Sequence, residues 1–155
     1  MAIYLKERNG SDLVTRKGIG ANSMDLTIGA TFLKRSGNVV SIATAATDRI
    51  VGVNVTEATY ASDNQTVAFK EVKYIDKSAH ALYEVAISGG TVTVDDEGKF
   101  YNLSAADTVN GATESVVPYY VDTTAGAAVD AVLCMQLELV KFVSATKGWF
   151  KIINL

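Results

Sequence analysis

The stretch that decides the fold is Thr27–Val55, TIGATFLKRSGNVVSIATAATDRIVGVNV. Short apolar runs alternate with turn residues. Ser36-Gly37-Asn38 is a Gly-containing turn leading into VVSIA, and the small polar connection Thr44–Asp48 leads into RIVGVNV. Gly and Asn supply the backbone conformations that tight turns need, and Val and Ile suit a pleated surface. The stretch therefore reads as successive strands with no catalytic polar residue built into it.

Working outward, strand candidates recur about every eight to twelve residues, the spacing of an all-β sandwich or barrel. They are Ile3–Leu5, Ala30–Arg35, Val39–Ala43, Arg49–Thr56, Gln65–Tyr74 and Ala81–Ser88. Thr91–Val94, Lys99–Tyr101, Ser115–Val121, Ala131–Val143 and Gly148–Ile153 follow. Ser88-Gly89-Gly90-Thr91 predicts a hairpin. The alternation of Gln136-Leu137-Glu138-Leu139 shifts phase at Val140, which predicts a β-bulge there. Helix signals are few: Ser104–Asp107, ended by Asn110-Gly111, and a short turn or irregular loop at Thr56–Asp63.

The expected architecture is all-β: a compact sandwich or barrel-like domain over residues 24–155, with at most one or two short helices. Residues 1–23 are expected to form an N-terminal arm or long loop. That segment is polar and Gly-dotted, with turn signals at Asn9-Gly10 and Gly18-Ile19-Gly20-Ala21-Asn22. Arms of this kind order on docking.

The 155 residues are 48% hydrophobic and 20% charged, enough to bury a core. Met1–Val14 has too short an apolar run for a signal peptide, and no window approaches the roughly 18 apolar residues of a membrane span. A net charge of −3 argues against a general nucleic-acid binder. Residues 1–35 hold six Lys/Arg against three Asp/Glu, and residues 84–140 hold nine acids against Lys99 alone. Residues 141–155 add three lysines and no acid. That asymmetry fits charged partner surfaces, and equally solvated loops.

Chemistry-bearing residues are sparse. His80 is the one histidine, with Asp76 and Ser78 close in sequence but not spaced as a triad. Cys134 is the one cysteine and sits in an apolar run, where a thiol behaves as a small hydrophobe. Asp95-Asp96-Glu97-Gly98 lacks the spaced oxygens of a calcium loop and reads as a polar turn. Gly18-Ile19-Gly20 lacks the third glycine of a dinucleotide fingerprint. No catalytic, cofactor or metal residue is assigned, and no enzyme activity is expected. Tyr119, Tyr120 and Trp149 could stack sugars, which leaves a carbohydrate-binding β-module on a virion or cell surface as the alternative function.

The segment Leu26–Val55, with Ile28-Gly29, a strand, the Gly-Asn turn and VVSIATAATDRIVGVNV, resembles tailed-bacteriophage head decoration (cement) proteins. The late portion, GKFYNLSAADTVNGATES, a long apolar strand and KFVSATKGWFKI, is similar in element order. The resemblance covers most of residues 24–153 and carries no catalytic residue. It implies a structural virion protein made in the host cytoplasm, bound to the capsid exterior. Its partner would be the major capsid protein and its own state a homo-oligomer, trimer favoured, with no nucleic acid, membrane or cofactor. The arm residues Ile3, Tyr4, Leu5, Lys6, Arg8, Arg16 and Lys17 are the expected partner contacts.

Overall fold

The computed structural model describes residues 4–7, 14–26, 31–43, 47–88, 90–103, 120–122 and 136–153, the side chains of 4–7, 88 and 120–122 excepted. Eleven strands lie in them: β1 (Tyr4–Glu7), β2 (Thr15–Gly20), β3 (Phe32–Ser36), β4 (Val39–Ile42), β5 (Gly52–Asn54) and β6 (Glu71–Asp76). β7 (Leu82–Ser88), β8 (Phe100–Leu103), β9 (Tyr120–Asp122), β10 (Leu137–Ser144) and β11 (Lys147–Ile152) complete them. The helical content among the described residues is three short turns, at Asn64–Ala68, Lys77–Ala79 and Val94–Asp96. The all-β, barrel-like expectation holds.

Five strands close into a barrel in the order β2-β4-β3-β5-β6. Closure removes free edges, and it depends on glycine. In β2, Gly18 and Gly20 are buried. A Cβ on Gly20 would lie 2.4 Å from the Tyr60 ring, and one on Gly18 would lie 2.7 Å from Val40. So small a ring has room for the Tyr60 ring only if the facing strand has no side chain there. Met24, Leu26, Leu33, Val40, Tyr60, Val72 and Tyr74 fill the barrel. The Tyr60 hydroxyl donates to the Glu71 carbonyl at 3.1 Å, satisfying its polar end. Arg35 caps one rim, donating to the Gly37 carbonyl, the Asn38 side chain and the Tyr74 hydroxyl.

The second sheet runs β1-β7-β11-β10-β8-β9, and β9 pairs back in parallel with β7 at Ala86–Ser88. β1 shares that same edge of β7 at Leu82–Glu84. Between the two sheets lies the larger core, which draws Phe32, Ala43, Ile50 and Val53 from the barrel side. From the second sheet it takes Tyr83, Val85, Ile87, Tyr101, Leu103, Leu137, Leu139, Phe150 and Ile152. Each of the larger aliphatic and Phe side chains contributes about 1.5–3 kcal/mol on burial. The Phe32 and Tyr83 rings meet edge-to-face, 6.1 Å apart, across the junction.

The bulge expected at Val140 is present. β10–β11 pairing skips from Leu139↔Phe150 to Lys141↔Trp149. Leu139 therefore stays buried while Val140 and Lys141 turn outward.

Four expectations are corrected. Within residues 1–23, expected as an arm, the described parts lie in the sheets: Tyr4–Glu7 extends the second sheet and Thr15–Gly20 is a full barrel strand, antiparallel to β6. Gly18 and Gly20, which read as a turn signal, are there for close packing against Val40 and Tyr60. Among the described residues no strand returns directly after β7, as the Ser88–Thr91 hairpin signal predicts, because the β10–β11 turn occupies that place. The Ile87 amide donates to the Thr146 carbonyl, and the Val92 amide to that of Ala145. Gln65–Tyr74 is not one strand, because Asn64–Ala68 forms a π-turn before β6 begins at Glu71. Thr91–Val94 is likewise no strand; it runs into the turn at Val94–Asp96, where Thr93 and Asp96 form a reciprocal cap. The expected Ser104–Asn110 turn and Ser115–Tyr119 lie outside the described residues, as do Ala131–Met135.

Candidate interaction surface

The expected contact residues do not form one surface. Ile3 and Arg8 lie outside the described residues. Tyr4, Leu5 and Lys6 belong to β1, at the edge of the second sheet, while Arg16 and Lys17 belong to β2 in the barrel. Lys17 stands directly opposite Lys73 in the β2–β6 ladder, and Arg16 opposite Tyr74. Arg16 and Lys17, with Thr15 and Lys73, line an open cleft of about 310 Å³. The Arg16 Nε lies 3.1 Å from an Asp76 carboxylate oxygen, and the Lys17 ammonium 3.4 Å from Glu71.

A second surface was not visible as such in the sequence. The π-turn Asn64–Ala68 ends at Phe69, whose backbone is left-handed at φ 53° and ψ 34°. Val67 is 67% exposed and Phe69 53%. Large apolar groups usually leave solvent, yet these two are held in it by a fixed backbone. Asn64 is fully buried beneath them. Its amide nitrogen donates to the Gly20 and Lys70 carbonyls at 2.7 and 3.0 Å, and its oxygen accepts the Lys70 amide at 2.9 Å. Asn22 and Gln65 exchange a second pair of bonds with each other's backbone. π-turns recur at functional positions, and strained backbone persists where its surroundings over-determine it. The signal that could have found this loop was the pair Val67 and Phe69 two residues apart, which instead reads as strand alternation.

The other candidates are engaged structurally. His80 is exposed, ends the Lys77–Ala79 turn and is itself left-handed at φ 50°. The Asp76 carboxylate accepts from the Ser78 amide and hydroxyl and pairs with Arg16. In the acidic turn, Asp96 pairs with Lys99 at 2.6 Å, and Glu97 accepts the Phe142 amide at 2.8 Å. The Lys99 and Thr93 hydrogen bonds hold the Asp96 carboxyl below its usual range. No group of three or more His, Cys, Asp or Glu gathers as a metal set among the described residues. The Trp149 indole nitrogen donates to Glu84 at 3.2 Å, and the Lys141 ammonium lies 4.4 Å from the ring centre. Tyr119 and Cys134 are outside the described residues. Among them no helix is long and apolar enough to cross a membrane.

No protein-family model and no curated protein matches the chain.

Proposed function

We propose that this chain is a structural virion protein that binds the outer face of a tailed-phage capsid and stabilises contacts between capsid subunits, as a homotrimer. The observation that carries the reading is the Val67–Phe69 loop. It offers two large apolar side chains on a backbone already locked by Asn64 and the Asn22–Gln65 pair, so docking orders little that is free beforehand. Pre-ordering of this kind raises affinity by lowering the entropy lost on binding. The resemblance of Leu26–Val55 and the late strands to decoration proteins supports the same role. So does a body of two β-layers over a shared core, rigid enough to bridge neighbouring subunits. A ligand that binds only the assembled shell stabilises it by mass action.

The test uses capsids of a phage whose genome encodes the chain, stripped of it and then reconstituted. Reconstituted capsids should carry the protein on sedimentation and resist heat better than stripped ones. Absence from the capsid pellet, with equal heat resistance, would overturn the proposal.

A further inference from the structure

The cleft on the barrel wall has a charge pattern that the fold does not require. Lys17 and Lys73 are direct cross-strand partners and both point outward. Like charges placed opposite each other weaken a ladder. Glu71 offsets Lys17, but through a contact between side chains 71% and 51% exposed, and such pairs are readily exchanged for another anion. The Lys73 ammonium has no carboxylate partner among the described residues. Asp76 engages the Nε of Arg16, which leaves that guanidinium's remaining N–H donors available. The Arg35 guanidinium lies on the adjoining rim, one nitrogen donating to the Lys17 carbonyl at 3.4 Å, and its partners there, Gly37, Asn38 and Tyr74, are all neutral. Arg16, Lys17 and Lys73 thus bring three cations to the cleft, against the two carboxylates that two of them touch, Glu71 and Asp76.

From this we infer that the cleft receives the carboxylate side chains of an acidic segment of a partner protein. Its volume of about 310 Å³ is at the lower end for ligand sites and fits one or two side chains better than a larger ligand. The lysines present mobile point charges, suited to a carboxylate on a flexible stem. The identity of the partner rests on the capsid reading above; the chemistry of the cleft does not.

The test needs no capsid. Hexaglutamate is titrated into the isotopically labelled full chain and followed by amide NMR, with hexaglutamine and inorganic phosphate in parallel. Hexaglutamate should shift the amides of Arg16, Lys17 and Lys73 saturably, and added salt should weaken the effect. K73E should weaken binding by at least about fivefold, and K73Q by less. Absence of saturable shifts at these amides would overturn the inference. Equal binding of hexaglutamine or phosphate, or unchanged binding by K73E, would do the same. Failure here beside intact capsid sedimentation removes the acidic-segment site and leaves the capsid role. The opposite pair of results removes the capsid role and leaves the site.

Discussion

The Gln136 side chain donates from Nε2 to the backbone carbonyl of Asp48 at 2.6 Å, joining the two β-layers across 88 positions of sequence. The same side chain accepts the Leu103 amide at 2.7 Å. Its own backbone bonds Tyr101 and Ile153 at either side. Gln136 is fully buried, and its bond with Leu103 stands where water cannot replace it. Asp48 in turn holds Lys34 through its carboxylate at 3.1 Å. One polar side chain therefore orients a barrel loop against the second sheet, beside an apolar, non-directional cluster.

Replacing Gln136 by Met keeps most of the volume and removes both side-chain bonds. The Leu103 amide loses its acceptor and the Asp48 carbonyl its amide donor. Buried groups deprived of partners cost about 1–3 kcal/mol each, so Q136M should lose on the order of 2–5 kcal/mol. Urea unfolding measures it. A loss below about 1 kcal/mol would mean that the layers are held by apolar contact alone.

The strands were legible where side-chain period and turn chemistry agree. Phe32–Ser36 and Val39–Ile42 flank Gly37, whose φ is +59°, and both strands follow from the Ser-Gly-Asn signal. The phase shift at Val140 gave away its bulge because Leu137 and Leu139 had fixed the inward face. Illegible were the elements decided by distant partners. Gly18 and Gly20 look like a turn until Val40 and Tyr60, roughly twenty and forty positions on, are seen to need their missing side chains. Val67 and Phe69 alternate like a strand, and only the buried contacts of Asn64 make that segment a π-turn. The pairing of Lys17 with Lys73 is a matter of ladder register between segments far apart in sequence. No local pattern encodes that register, so the cleft could not be foreseen, although two of its residues were singled out for their charge.

Glycine positions separate crowding from backbone freedom. A Cβ on Gly52 would sit 2.0 Å from the Ile75 carbonyl oxygen, and backbone cannot swing aside. A Cβ on Gly37 meets nothing within 4 Å, but the residue is left-handed. G37A should therefore cost about 1–2 kcal/mol. G52A should cost more, about 3 kcal/mol or above, because β5 and β6 must separate. Thermal unfolding of the two variants side by side checks the order; equal losses would contradict the close approach of β5 to β6.

Burial pushes the Tyr83 phenol well above its ordinary value, and burial also raises Tyr60 and Tyr101. A raised folded value means the neutral phenol is the form the fold holds. The stability it confers is full below the unfolded value of about 10 and is lost as pH rises from there towards the folded value. Urea midpoints should fall steeply above about pH 10. Y83F removes the ionisable group but keeps the ring against Phe32, so its alkaline decline should be shallower. An identical decline would assign the loss to other groups.

The last prediction concerns Phe69, the residue that ends the loop proposed as the capsid contact. Its left-handed backbone costs a non-glycine residue about 1–2 kcal/mol. Glycine removes that strain but loosens the unfolded chain by about 0.4–1 kcal/mol, and the half-exposed ring contributes little burial to lose. F69G should therefore match the parent in stability to within about 1 kcal/mol. If the loop is the capsid contact, F69G should nonetheless bind capsids roughly tenfold more weakly, as removal of an aromatic anchor does. V67A should weaken binding by less, since it removes a smaller side chain. Urea unfolding and capsid sedimentation on the same preparations give both numbers. Undiminished sedimentation of F69G would move the contact off this loop, while a large loss of stability would show that the ring supports the barrel rather than a partner.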